Sequence, residues 1–190
     1  IGALENDGNG SNSGHVRVYE RVGGSWSQIG QDIDGESPGD LSGRSVSRSD
    51  DGNIVAIGAI GNDGNGSNSG HVRIYQNIGG SWSQIGGDID GEAADDASGY
   101  SVSLNSDGNT VAIGDPQNDG NGGNSGHVRI YNYNGSSWNQ LGQDIDGSGG
   151  SQSGTSVSLC ADGSIVAIGA PRKSQEAGAV RIYENVSGSW

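Results

Sequence analysis

HVRIYQNIGGSW (71–82) decides the fold, because the chain writes it four times. Its sister phrases are HVRVYERVGGSW (15–26), HVRIYNYNGSSW (127–138) and AVRIYENVSGSW (179–190). The closing tryptophans, Trp26, Trp82, Trp138 and Trp190, stand 56, 56 and 52 residues apart. A period this long marks an array of supersecondary units, each burying its apolar face against its neighbours. Within the phrase Val and Ile alternate with Arg and Tyr, the period of a strand. The Gly/Ser pair before Trp is turn chemistry.

Working outward, each phrase is preceded by two more strand-like pieces. SVSR (45–48), SVSL (101–104) and SVSL (156–159) lead through an Asp-Gly turn into IVAIGA (54–59), TVAIGD (110–115) and IVAIGA (165–170). Asp-Gly between apolar runs is a strong hairpin signal, because such turns need positive φ. The small side chains of VAIGA suit a strand near a crowded axis. A fourth piece starts at each Trp: WSQIGQDIDG (26–35), WSQIGGDIDG (82–91) and WNQLGQDIDG (138–147). Four antiparallel strands per unit predict an all-β chain built as β-propeller blades with a repeat of about 56 residues. The expected division is a partial blade at 1–35, blades at 42–91 and 98–147, and a partial blade at 154–190. So few blades cannot close a ring, so the chain reads as part of a propeller, or as a unit completed by another copy. Its expected partners are further blades from the same or another chain, by self-association or polymer formation. Ile1 opens the sequence in mid-repeat, as expected of part of a larger or processed polypeptide.

Composition narrows the function classes. Glycine supplies 38 of 190 residues, Phe and Met are absent, and the formal charge is −14. Nucleic-acid or anionic-membrane binding demands clustered Lys and Arg, so neither is expected. No apolar run reaches the roughly 18 residues of a membrane span. Cys160 stands alone, which excludes an internal disulfide.

SGRSVSRSDDGNIVAIGAIG (42–61) with SGHVRIY (69–75), and VAIGAP at Val166–Pro171, resemble FG-GAP repeats, the blades of integrin-α-type propellers. VAIGDP (111–116) is a variant of the same motif. The resemblance implies an extracellular seven-bladed propeller used for adhesion or ligand binding, without catalytic activity. The family's DxDxDG calcium loop between the first two strands is reduced here to SDDG, NSDG or CADG. Too few carboxylates remain for the six to eight oxygens calcium takes.

Other groups recur with the repeat, which favours scaffold roles, since catalytic groups normally occur once. Asp7, Asp63 and Asp119 sit in NDGNG loops, where they either ligate calcium or close Asx turns. His15, His71 and His127 open the third strand and read as structural. The pairs Asp32/Asp34, Asp88/Asp90 and Asp144/Asp146 are expected to meet Arg17, Arg73, Arg129 and Arg181 across strands. A divalent ion and glycosidase acid/base work are the alternatives for those pairs. Asn9, Asn65, Asn134 and Asn185 open glycosylation sequons. Together these observations predict a non-enzymatic, extracellular structural or adhesive segment, needing no cofactor, of a cell-surface appendage or filament. The alternative is a lectin-like module that binds carbohydrate or depends on calcium.

Overall fold

The computed structural model describes residues 1–172 and 177–190. Those residues form strands, turns and bends with no helix. The chain is all-β, arranged as a succession of antiparallel sheets.

The second unit pairs Ser42–Arg48 with Ile54–Ala59 and that strand with His71–Ile78. The third repeats this with Ser101–Leu104, Thr110–Asp115 and His127–Tyr133. The fourth contains Ser156–Leu159, Ile165–Ala170 and Ala179–Glu184. In the first, Gly2–Ala3, His15–Val16 and Ile33–Asp34 form a short sheet beside the hairpin Tyr19–Val22/Ser25–Gln28. The segment after Trp differs from the single strand expected. It splits into two pieces, Ser81–Gln84 and Ile89–Asp90, which both pair with His71–Ile78. The break falls at Gly86, whose φ of 71° takes the chain out of extended geometry. The structure also relocates the crowded strand. In the second, third and fourth units SVS, not VAIGA, forms an outermost strand of the sheet, and successive SVS strands lie beside one another.

The core lies between units. One cluster joins Ala56, Val72, Ile74 and Ile89 to Leu104, Val111, Ile113 and Tyr131 of the following unit. A second joins Ala112, Val128, Ile130 and Ile145 to Leu159, Val166 and Ile168. At roughly 25 cal/mol per Å² of apolar surface, this burial is the main stabilising contribution, and no unit supplies it alone.

Candidate functional site

Motif residues supply recurring contacts at the junctions between units: an indole contact at all three, and serine contacts at the second and third. At the inner edge, Ser45 Oγ donates to the Gly99 carbonyl at 2.7 Å and Ser101 Oγ to that of Gly154 at 2.8 Å. Ser47 Oγ accepts the Leu104 amide, and Ser103 Oγ that of Leu159, each at 2.9 Å. A Cβ on Gly58 or Gly114 would collide with those same Gly99 and Gly154 carbonyls. The glycine of VAIGA is therefore set by the next unit's backbone. At the outer edge, the Trp82 indole donates to Ile29 O at 2.8 Å, Trp138 to Ile85 O at 2.9 Å and Trp190 to Leu141 O at 2.8 Å. The glycine that bends the outer strand, Gly30, Gly86 or Gly142, lies under that ring, where a Cβ would clash.

Between these edges sits a polar cluster. His15 approaches Asp32 and Asp34; His71 approaches Asp88 and Glu36; His127 approaches Asp144 and Glu92. Strand pairing sets each histidine opposite the second Asp of DID (His15–Asp34 and His127–Asp146), while the first Asp turns toward the imidazole. Glu36 and Glu92 come from the unit before. The three histidines do not meet one another.

The arginines depart from the expected cross-strand pattern. Only Arg17 grips its own DID carboxylate, donating to Asp32 at 2.9 and 2.7 Å. That bond, with one from Gln28, draws Asp32 down to about 2. Arg73 turns instead to Glu36 (3.3 Å) and Arg129 to Glu92 (3.7 Å), each donating also to the backbone carbonyl of Asp34 or Asp90. The cause is the preceding unit, which covers Arg73 and Arg129 and offers them acceptors. Arg181 has no carboxylate within 4 Å among the described residues.

One cluster differs from the others. Asp115, wholly buried, stands where the sister units have Ala59 and Ala170. Its Oδ2 lies 2.8 Å from His127 Nε2 and 3.1 Å from Arg129 Nη2. Burial alone would raise the Asp115 pKa, but the His127 hydrogen bond and the Arg129 charge outweigh it and hold the carboxyl below its ordinary range. His127 shifts the opposite way. Burial lowers it, the Asp115 bond and charge raise it more, and the net direction is up. His71, lacking that carboxylate, is lowered by burial and by Arg73. Its Nε2 is buried without a partner.

The remaining candidates occupy loops. Asp7, Asp63 and Asp119 accept the amides of Asn12, Asn68 and Asn124 at 2.8, 2.8 and 2.6 Å, closing their loops. Asn9 and Asn65 each spend their side-chain NH₂ on two carbonyls just after the DID strand, those of Gly35 and Glu36 or of Gly91 and Glu92. A glycan there would take one of the two N–H donors and so cost one of these bonds. Asn134 uses only its Oδ1, toward Ser136 and Ser137, while the Asn185 Nδ2 is buried without a partner. The second strand–strand turn is closed from within, Asp51 accepting from Ser49 and Asn53. Cys160 does the work of Ser49 in the last unit, its sulfur accepting the Ile165 amide.

The FG-GAP repeat family matches residues 33–75, a stretch running from one DID through SVS and VAIGA to HVRIY. No curated protein sequence matches the chain. Among solved structures it resembles a putative 6-phosphogluconolactonase from Bacteroides uniformis, with a TM-score of 0.63 and 12% identity over 93% of this chain and 46% of that one. It also resembles the periplasmic gluconolactonase of Pseudomonas aeruginosa, with a TM-score of 0.53 and 17% identity over 88% and 45%. Hydrazine synthase of Kuenenia stuttgartiensis gives a TM-score of 0.55 and 11% identity over 94% and 43%. The chain thus spans less than half the length of these structures, and at such identities the likeness concerns the fold, that of lactonase-like β-propellers. It corrects the expectation of a chain without catalytic activity, since the fold is one that the lactonase-like structures also have. The recurrence of most polar groups had argued against catalysis, but Asp115 does not recur.

Proposed function

We propose that the chain is a structural or adhesive segment of an extracellular FG-GAP propeller, completed by further blades to a seven-bladed ring. The junction carries this reading. The indole contact onto an Ile-Gly or Leu-Gly bend is made three times, and Trp26 presents the same indole, 70% exposed, over an apolar groove of about 550 Å³. Ile1, Val16, Val18, Val46 and Val55 line that groove with Trp26. The occupant it fits is another unit of this kind, offering an Ile-Gly or Leu-Gly bend. Sedimentation of the 190-residue chain tests it: concentration-dependent association is expected, with Trp26→Ala reverting to monomer. A wild-type chain that stays monomeric at 100 µM, with Trp26 in solvent, would overturn the reading. A glycan array with and without calcium separates the adhesive role from the lectin-like alternative.

A second reading is favoured by Asp115, whose contact with His127 and Arg129 occurs once among the described residues. Hydrolysis of a sugar lactone is the reaction to assay, by analogy with the lactonases that share the fold. Turnover that is abolished by Asp115→Asn in a folded protein would establish it.

A further inference from the structure

We propose that Glu92, His127 and Asp144 form a binding site for one first-row divalent cation of the zinc or manganese type. Asp115 positions the histidine from behind. The site is independent of whether the propeller adheres or catalyses.

Hydrogen-bond chemistry supplies the first reason. His127 gives Nε2 to Asp115 at 2.8 Å, so the tautomer that bond selects leaves a bare lone pair on Nδ1. Yet Nδ1 faces only acceptors: Glu92 Oε2 at 4.0 Å and Asp144 Oδ2 at 3.9 Å. The imidazole is 1% exposed and makes no other hydrogen bond. On the neutral ring that lone pair faces two carboxylates, which is repulsive unless a proton or a cation lies between them. A histidine whose far nitrogen is held by a carboxylate is also the arrangement that orients imidazole toward a metal.

Each ligand atom is the unused half of a group whose other half is held. Gln140 holds Asp144 Oδ1, Arg129 lies 3.7 Å from Glu92 Oε1, and Asp115 holds His127 Nε2. The free Oδ2, Oε2 and Nδ1 converge within 4.8 Å of one another. Around a zinc ion with bonds of about 2.1 Å, tetrahedral ligand atoms sit roughly 3.4 Å apart, so small side-chain rotations complete the site. Glu92 and Asp144 are partly exposed, which leaves an entry path and room for water as a further ligand. One imidazole and two carboxylates suit zinc or manganese better than calcium, which takes six to eight oxygens.

Charge separates this cluster from its two sisters. Glu92, Asp115 and Asp144 against Arg129 leave two negative charges in excess, which one dication neutralises. Glu36 and Asp88 against Arg73 leave only one, and His71 has no carboxylate behind it. At the first cluster Arg17 already occupies Asp32 Oδ2 at 2.7 Å, the atom nearest His15.

Isothermal titration of the untagged chain with zinc chloride, then manganese chloride, tests the proposal at pH 7.5 in 150 mM salt with excess magnesium. The expected result is one equivalent bound in preference to magnesium. Glu92→Gln with Asp144→Asn, both partly exposed positions, should abolish that equivalent while circular dichroism stays unchanged. Asp115→Asn should weaken it about 10- to 100-fold, as loss of an orienting carboxylate does elsewhere. Imidazole nitrogen NMR should show zinc perturbing His127 Nδ1 and leaving His15 and His71 unmoved. Absence of saturable binding up to 1 mM zinc would mean that a proton alone bridges the three groups, and the proposal would fall. Binding that survives the double substitution, or zinc shifts at His15 or His71 instead, would overturn it equally.

Discussion

Val72 and Ile74 are fully buried, whereas Val180 and Ile182, in the same Val-Arg-Ile-Tyr phrase of the last unit, are 71% and 72% exposed. The tryptophans divide the same way: Trp82 is 5% exposed and Trp26 70%. Backbone pairing is the same in both units, since Val72 pairs with Gly58 and Val180 with Gly169. What differs is the presence of a packed neighbour. The sequence of a unit sets which side chains stand ready on its faces, and the adjoining unit turns those faces into core. Stability in such an array therefore lives at the junctions rather than in the sheets.

The largest effect expected from breaking that contrast is at tryptophan. Trp82→Ala removes a buried ring and its bond to Ile29 O, and should cost about 3–5 kcal/mol in denaturant unfolding. Trp26→Ala in the monomeric chain should stay within about 0.5 kcal/mol. Equal losses at the two positions would show that the rings stabilise their own hairpins and not the junction. Ile74→Ala against Ile182→Ala repeats the experiment on the sheet face, with about 2–5 kcal/mol expected for the buried member.

Glycine gives a smaller and sharper version. At Gly58 a methyl group would meet the backbone carbonyl of Gly99 in the next unit, an atom that cannot rotate away. At Gly169 it would meet the Ser156 hydroxyl of its own sheet, a movable side chain. Gly58→Ala should therefore cost about 1–3 kcal/mol as overpacking, and Gly169→Ala distinctly less, by thermal unfolding of each variant. Reversal of that order would place the crowding inside the sheet.

Much of this was legible in the letters. Strand alternation, Asp-Gly turns and the Trp period locate the strands, because each is a local rule. What the letters hide is anything one unit does to the next. Ser45 and Ser47 read as ordinary strand residues, yet both hydroxyls serve the neighbouring unit. Arg73 and Arg129 read as partners of DID, and the unit before takes them instead. The Ile-Gly bend reads as mid-strand until the next indole is seen lying on it. Asp115 had a visible signal, a single Asp among the alanines of VAIGA, but its meaning depended on where His127 and Arg129 point. Departures from a repeat carry the information that the repeat itself does not.

That departure sets the last and smallest contrast, between two histidines alike in sequence context. In chelator-treated protein His127 should titrate above the ordinary imidazole value of about 6.5, and His71 below it, by NMR of the ring carbons. The signs follow from what each protonated ring meets. His127 gains Asp115, so its stabilisation is complete below the unfolded pKa and fades as pH rises through the folded one. For His71, burial and Arg73 outweigh the opposing pull of Asp88, Glu36 and Asp40, so its protonation opposes folding, and stability falls as pH drops below about 6.5. Asp115→Ala should move His127 below the ordinary value, to behave as His71 does beside Ala59. Ala59→Asp should raise His71 in turn, because its unpartnered Nε2 gains an acceptor. If the two rings titrate together in the wild type, or if exchanging Asp and Ala leaves them where they were, the carboxylate behind the ring is not what distinguishes the third unit.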